Sequence, residues 1–381
     1  MKEKTYFIGY LTLIYLLTIF FINLFSPSLN FSEEENRPLA SKPEMNTNNI
    51  IDGSYFTSYN KYIEDQFWNR ATWKSLKTNI EKSIGLKKID NIYFGKNNRL
   101  IEEVVIPSDD FINRRVDNIK KLQEYYSELN MDFVLIPNKV GIYYEEVSSS
   151  NKQKELYDNF ISNFDNNLVK VNCFDILSSH KDENIFYNTD HHYTSLGAKY
   201  ISESLYDKEN IEYSEYTVNN HFIGTSAKKL AYYNIYDTVN IYVPNEEVSY
   251  YLTYNNDETE YTSIYDSSKQ YSYDPYEIFF GGNKSIIDIR TNSESESKLL
   301  LIKDSYANSF ISFILNNYRE IIVIDPRYYH EDINSLISDK QITDIMLYYN
   351  MNTFFEDTSL DDMIENIKKI KRYCSLKEQY L

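Results

Sequence analysis

Leu299-Leu-Leu-Ile-Lys-Asp-Ser-Tyr-Ala-Asn-Ser-Phe310 runs from four aliphatic residues straight into a polar turn that carries a serine. So short an all-apolar run is the pattern of a strand buried on both faces, as in a parallel sheet. The residues from Ala307 to Asn317 read as the helix that follows. A serine between such a strand and such a helix sits where open α/β sheets hold their ligands.

Working outward, the same strand pattern recurs at Phe133–Pro137, Ile321–Ile324 and Ile345–Tyr349. Helical spacing appears at 115–129, 155–164 and 195–205, and Val169–Cys173 reads as a further strand. Repeated strand–helix units predict an α/β fold with a mostly parallel sheet between layers of helices. Between these units, residues 213–297 are Tyr-rich and polar, with strand-like alternation at Val239–Val243, and read as a β-rich insertion. Nearer the N-terminus, Phe56, Tyr59, Tyr62, Ile63 and Phe67 recur at helical spacing, and Gly95 with Asn97 and Asn98 suggests a hairpin between short strands.

The chain opens with an uncharged apolar run from Thr5 to Phe25. A helix of roughly 21 residues rises about 32 Å, enough to cross a hydrocarbon core of about 30 Å. Lys2 and Lys4 precede the run, and Glu33, Glu34 and Glu35 follow it. The positive-inside bias therefore predicts a cytoplasmic tail at 1–4, a transmembrane signal-anchor at 5–25 and an extracytoplasmic remainder. A cleaved signal peptide and a buried globular helix are the rival readings. The first would need an unusually long apolar region and lacks a small-residue cleavage motif; the second would need a polar face. Residues 26–49, with Pro27, Pro38 and Pro43, read as a linker, and 50–381 as the α/β domain.

The net charge of −18 and pI near 4.8 argue against nucleic-acid binding, which needs clustered Lys and Arg. Cys173 and Cys374, the only cysteines, are not a disulfide framework, though they are free to pair.

Two segments carry candidate chemistry. Thr189-Asp-His-His-Tyr-Thr-Ser-Leu-Gly-Ala198 places Asp190, His191 and His192 just before a helix. An Asp two residues from a His can fix the imidazole tautomer and stabilise the imidazolium. A capped turn, with Thr194 or Ser195 as cap, is the plainer reading. In Lys303-Asp-Ser-Tyr-Ala-Asn-Ser-Phe310, Ser305 is either a nucleophile beside outward-pointing N–H groups or, with Asp304, a helix cap. Together Ser305, His192 and Asp190 supply nucleophile, base and orienting acid, and triads recur in several chain orders. No G-x-S-x-G elbow is present. Metal dependence is disfavoured, because H-E-x-x-H and zinc-spaced cysteines are missing, and no cofactor is expected.

At these residues the chain resembles the DHHW protein family, with Tyr193 in place of the usual Trp. Asp65-Gln-Phe-Trp-Asn-Arg70, Tyr93-Phe-Gly-Lys96, Ile136-Pro-Asn-Lys139, Phe222-Ile-Gly-Thr225 and Ile324-Asp-Pro-Arg327 resemble further family patterns, in order, from about Glu33 to Asp357. That family is similar to the alginate O-acetylation proteins. The resemblance implies an SGNH-hydrolase-like three-layer sandwich and a catalytic set of Asp190, His192 and Ser305. It also implies a cell-surface polysaccharide as substrate, and a multi-span membrane O-acyltransferase as partner. The expected activity is a serine-dependent O-acyl (acetyl) transferase or esterase in the cell envelope. The alternative is a non-catalytic scaffold that binds glycan or the acyltransferase. The resemblance leaves the oxyanion donors open. Tyr306 N–H and the Asn308 side chain are the first candidates. Asn283, in Gly281-Gly-Asn283, is another unless that loop is an ordinary hairpin turn. Lys139 either faces the same cleft or is a solvated surface lysine.

Overall fold

A computed structural model describes residues 2–35, 37–148, 150–206, 211–245, 248–255, 257–367 and 369. The chain divides into two compact units, residues 1–90 with 225–235 and residues 91–224 with 236–381.

The larger unit is a mixed α/β fold around a six-stranded sheet. Its strand order is Asn130–Ile136, Asp344–Asn350, Lys298–Lys303, Glu320–Ile324, Ile286–Thr291, Tyr250–Tyr254. The first four are parallel, with Ile302 opposite both Ile324 and Leu347. The last two pair antiparallel. The sheet is thus mostly parallel, as the apolar runs predicted. Both faces of its central strands are covered: Leu299 to Ile302 and Ile321 to Ile324 are all buried. Two strands from residues 213–297 extend this sheet. The other two, Tyr213–Phe222 and Asp237–Pro244, form an antiparallel ribbon of their own.

Polar residues follow the apolar runs at the carboxyl ends of the parallel strands: Asn138, Asp304, Asp325 and Asn350. All four are buried, so each needs a hydrogen-bonding partner there.

Several elements differ in extent from expectation. The helix placed at 115–129 spans Asp109–Tyr125, because Ser108 Oγ accepts from Phe111 N (3.4 Å) and Asp109 and Asp110 favour the first turn. Residues 169–172 are not a strand. Phe133 N reaches Leu168 O (2.8 Å), but Asn172 then accepts from Phe174 N and Asp175 N and starts the helix Cys173–Ser179. The helix expected from Ala307 is α-helical only to Phe310. It continues as short 3₁₀ turns, Ile311–Phe313 and Leu315–Asn317, tightened by i+3 bonds from Ile314 N to Ile311 O and Asn317 N to Ile314 O. The Gly95 hairpin is present, with Ile92–Phe94 antiparallel to Leu100–Glu102. Cys173 is a buried free thiol, pushed up to about 12 by burial. Cys374 lies outside the described residues.

In the smaller unit the helix Lys2–Phe25 contains one segment, Tyr6–Phe25, long and apolar enough to cross a membrane. Beyond it, Phe31–Ser32 pairs with Arg37–Pro38. Arg37 holds Asp65 in a bidentate ion pair (3.0 and 2.6 Å), and the guanidinium keeps the Asp65 carboxyl below its usual range. Asp65 ends the helix Ser54–Asp65, and a second helix spans Arg70–Ser83.

Candidate active site

Ser305 is delivered by the sheet. The Lys298–Lys303 strand ends one residue before Asp304, whose buried carboxylate accepts from Tyr306 N (2.9 Å), Asn350 N (2.8 Å) and Asn350 Nδ2 (2.6 Å). Asp304 therefore serves the turn, and Ser305 Oγ is not consumed in capping. Burial pushes the Asp304 carboxyl up to about 6, against those N–H donors.

The histidine segment is a tight loop. Phe186 bridges Tyr193, and Thr194 N donates to Ile185 O (2.8 Å). Thr194, rather than Ser195, caps the next helix, with Oγ1 accepting from Gly197 N (3.4 Å). Ser195 Oγ instead donates to Asn240 O (2.7 Å).

These two segments meet. His192 Nδ1 lies 2.6 Å from Asp190 Oδ1, and His192 Nε2 lies 2.8 Å from Ser305 Oγ. His192 N also donates to Asp190 Oδ1 (2.9 Å), which fixes the carboxylate relative to the ring. Asp190 and His192 are buried and Ser305 is half-buried. With Nδ1–H held by the carboxylate, Nε2 is left to accept the Ser305 proton.

Asp190, His191 and His192 offer donor atoms within 4.8 Å of one another, close enough for one metal ion. An ion there would have to claim His192 nitrogens that already face Asp190 and Ser305.

The other candidates sort by what they touch. Tyr306 N–H is bound to Asp304, so it does not point at an oxyanion, and its phenol donates to His191 O. The Ser305 N–H makes no hydrogen bond among the described residues. Asn308 Nδ2 donates to Asn283 Oδ1 (3.2 Å) and keeps a second N–H, while its Oδ1 accepts from Lys303 Nζ (2.8 Å). Asn283 Oδ1 also accepts from Lys303 (3.3 Å) and so braces Asn308. Burial pulls Lys303 down to about 8, opposed by Asp325. Asp325 in turn grips Arg327 (2.8 and 2.6 Å).

Lys139 is neither a solvated lysine nor a wall of the cleft. It is buried beneath the histidine loop, where Nζ donates to Leu100 O (2.8 Å), Asn188 O (3.4 Å) and Asp190 O (2.7 Å). Three supports were not singled out from sequence. Asp237 accepts from Asn188 N (2.8 Å), Thr189 N (2.6 Å) and Thr189 Oγ1 (2.6 Å). Gly224 lies so close that a Cβ there would stand 2.3 Å from Asp190 Cβ. Tyr276 stacks on His192, with centroids 4.1 Å apart and planes 15° apart, and donates to Ser305 O (3.1 Å). The motif around Gly224 was visible in sequence without its role. Tyr276, in a Tyr-rich stretch, gave no signal.

Comparison with solved structures places the fold. A DHHW family protein from Eubacterium siraeum is similar at 23% identity and TM-score 0.58, over 73% of this chain and 93% of that one. Bacillus cereus PatB1, solved with a sulfonyl adduct, is similar at 17% identity and TM-score 0.58, over 71% and 97%. The O-acetyltransferase domain of Pseudomonas putida AlgJ aligns at 12% identity and TM-score 0.47, over 73% and 99%. No curated protein matches the chain. The DHHW protein model matches residues 131–324, slightly more than half of the sequence, a stretch that contains both the His192 loop and the Ser305 turn. The chain belongs to the DHHW protein family.

Proposed function

We propose that this protein is a membrane-anchored acyltransferase or esterase with an SGNH-hydrolase-like three-layer sandwich. It acts on O-acyl groups of cell-surface polysaccharide through Ser305, His192 and Asp190. The observation that carries the reading is the continuous relay from Asp190 through both nitrogens of His192 to Ser305 Oγ, at 2.6 and 2.8 Å.

The chemistry balances as two half-reactions. His192 Nε2 takes the Ser305 proton while Oγ bonds to the acyl carbonyl carbon. The resulting oxyanion faces the Ser305 N–H and the second N–H of Asn308 Nδ2. Collapse breaks the bond to the leaving oxygen, which takes the proton from His192, and an acyl-serine remains. A polysaccharide hydroxyl, or water, then gives its proton to His192 and attacks the same carbonyl; collapse breaks the bond to Ser305 Oγ, which takes that proton back from His192. Transfer and hydrolysis share every step except the acceptor.

The anchor at 5–25 holds the domain outside the cytoplasm beyond a linker at 26–49, where exported acyl groups and nascent polymer meet. A multi-span membrane O-acyltransferase is the partner that fits this placement.

The test is covalent labelling with a sulfonyl fluoride, followed by peptide mass mapping, beside acetyl release from a chromogenic ester. One adduct on Ser305, with label and turnover lost in Ser305→Ala, is the expected result. Turnover that persists in Ser305→Ala would sink the nucleophile. A chain that takes no label and turns over no ester, yet still retains polysaccharide on a column, would favour the scaffold.

A further inference from the structure

The Arg70–Ser83 helix presents its apolar side to solvent. Leu76, Ile80 and Ile84 follow one another at intervals of four and so form a single row. They are 51%, 52% and 73% exposed, and Leu86 just beyond is 46% exposed. The opposite side is polar and engaged: Thr78 is buried, and its Oγ1 donates to Leu230 O (2.6 Å). Packing within this unit therefore fixes the apolar row outward.

The charge of the segment is also inverted relative to the chain. Between Arg70 and Lys88 lie Arg70, Lys74, Lys77, Lys82, Lys87 and Lys88, against the single acid Glu81, in a protein whose net charge is −18. Lys77, adjacent to Leu76 on the helix and 3.8 Å from Glu81, and Lys87, just past the helix end, are both exposed. An apolar stripe edged by lysines is the pattern of a helix that lies in the interface of an anionic bilayer.

A separate contact ties the start of this helix to the end of the apolar N-terminal segment. Trp68 N donates to Asn23 Oδ1 (2.8 Å), at the end of the apolar Tyr6–Phe25 helix. Leu29 and Gln66 exchange two hydrogen bonds of 2.8 Å just beyond. Arg70 thus begins two residues after a residue tied to the end of that helix, and Phe67 and Trp68 are exposed aromatics of the kind that settle at headgroup level.

We infer that the Arg70–Ser83 helix is a second membrane contact, lying flat on an anionic lipid surface with Leu76, Ile80 and Ile84 inserted and Lys77 and Lys87 at the headgroups. Its closeness to a bilayer follows only if the N-terminal helix is the proposed anchor, whereas the apolar row and the charge stand without it.

The test uses the full chain reconstituted in vesicles of phosphatidylcholine alone, or of equal phosphatidylcholine and phosphatidylglycerol, with acyl-brominated lipid as quencher. Trp68 and Trp73, the only tryptophans, are replaced by Phe, and Ile80→Trp or, in a second chain, Leu76→Trp reports on the row. The expected result is quenching several-fold stronger with phosphatidylglycerol, weakened by salt and by Lys77→Gln with Lys87→Gln. Absent quenching in a chain that resists alkaline carbonate would overturn the inference and leave the anchor standing. So would a row shielded from aqueous quencher only in native membranes, which would point to a protein partner. Equal quenching in both lipids, unmoved by the lysine variants, would overturn the anionic preference on which the inference depends. Extraction by carbonate with quenching intact would remove the anchor and uphold the lipid surface.

Discussion

Ser305 and His192 meet at 2.8 Å, yet they are held there by opposite means. Ser305 follows directly on a strand whose neighbours on both sides are parallel and buried, so its position is set by the ladder. His192 sits in a loop with a single isolated bridge, and its position is set by side chains from elsewhere: Lys139 below, Asp237 beside and Gly224 against Asp190. A ladder repeats one interaction along its length and tolerates a local loss. A loop clamp depends on a few buried polar groups, and each one left unpaired costs about 1–3 kcal/mol. The strand end should therefore be robust and the histidine loop fragile.

The sharpest probe of that contrast keeps the loop and removes only its charge. Asp190→Asn should lower turnover roughly 10⁴-fold through loss of the imidazolium partner, with little change in folding. Unfolding midpoints and ester turnover, measured on the same preparation, check this. A loss below tenfold would mean that Asp190 does not orient the base.

The next perturbation should separate the two regions directly. Lys139→Met leaves three carbonyls without their shared donor and should cost about 3 kcal/mol. Native-state amide exchange should speed up at Thr189 and His192 while Tyr306 stays protected. Similar acceleration at both would erase the contrast. A pH signature accompanies it. Burial pulls Lys139 from 10.5 down to about 8. Across that window the unfolded chain holds a proton that the folded chain has released, so this group's contribution to stability rises with pH and its cost is full below the window. The stability gap between wild type and Lys139→Met should widen from pH 8 upward; a flat gap would contradict the buried ammonium.

Gly224→Ala tests crowding rather than charge. The new Cβ would meet backbone and side-chain atoms of Asp190 at 2.3–2.7 Å, so the loop must shift, at about 1–3 kcal/mol. Activity should fall more than stability, because Asp190 moves first. The smallest effect belongs to the tie between the two regions. Tyr193 OH donates to Tyr306 O (2.8 Å) and pairs with Tyr348 OH (2.9 Å), so Tyr193→Phe should cost about 1 kcal/mol and leave turnover within a few-fold. A large kinetic loss there would show that the two regions are coupled more tightly than their separate supports suggest.

The strand end was legible in the chain because its signal is local. Four aliphatics followed by Lys-Asp-Ser state a buried strand and a turn without reference to anything distant. The loop was legible only in its residues. Asp190 and His192 stood out by type and spacing, but nothing near residues 139 or 237 announced that they would hold that loop. Lys139 lies 51 positions from Asp190, and Asp237 lies 48 from Thr189. Periodicity also misled where local hydrogen bonding competed. Asn172 drew residues 173–179 into a helix, and the buried aromatic and aliphatic run after Phe310 settled into 3₁₀ turns.

By itself the sequence determined the alternation of strands and helices, the apolar N-terminal helix and the residue types able to form a relay. Each is encoded in hydrophobic spacing or side-chain chemistry over a few positions. Only the tertiary structure decided that the Asn130–Ile136 strand lies beside Asp344–Asn350, that Lys139 is a clamp and that Tyr276 covers the His192 ring. Those facts depend on which distant segments the sheet order brings together, and a pattern of neighbours along the chain carries no record of that.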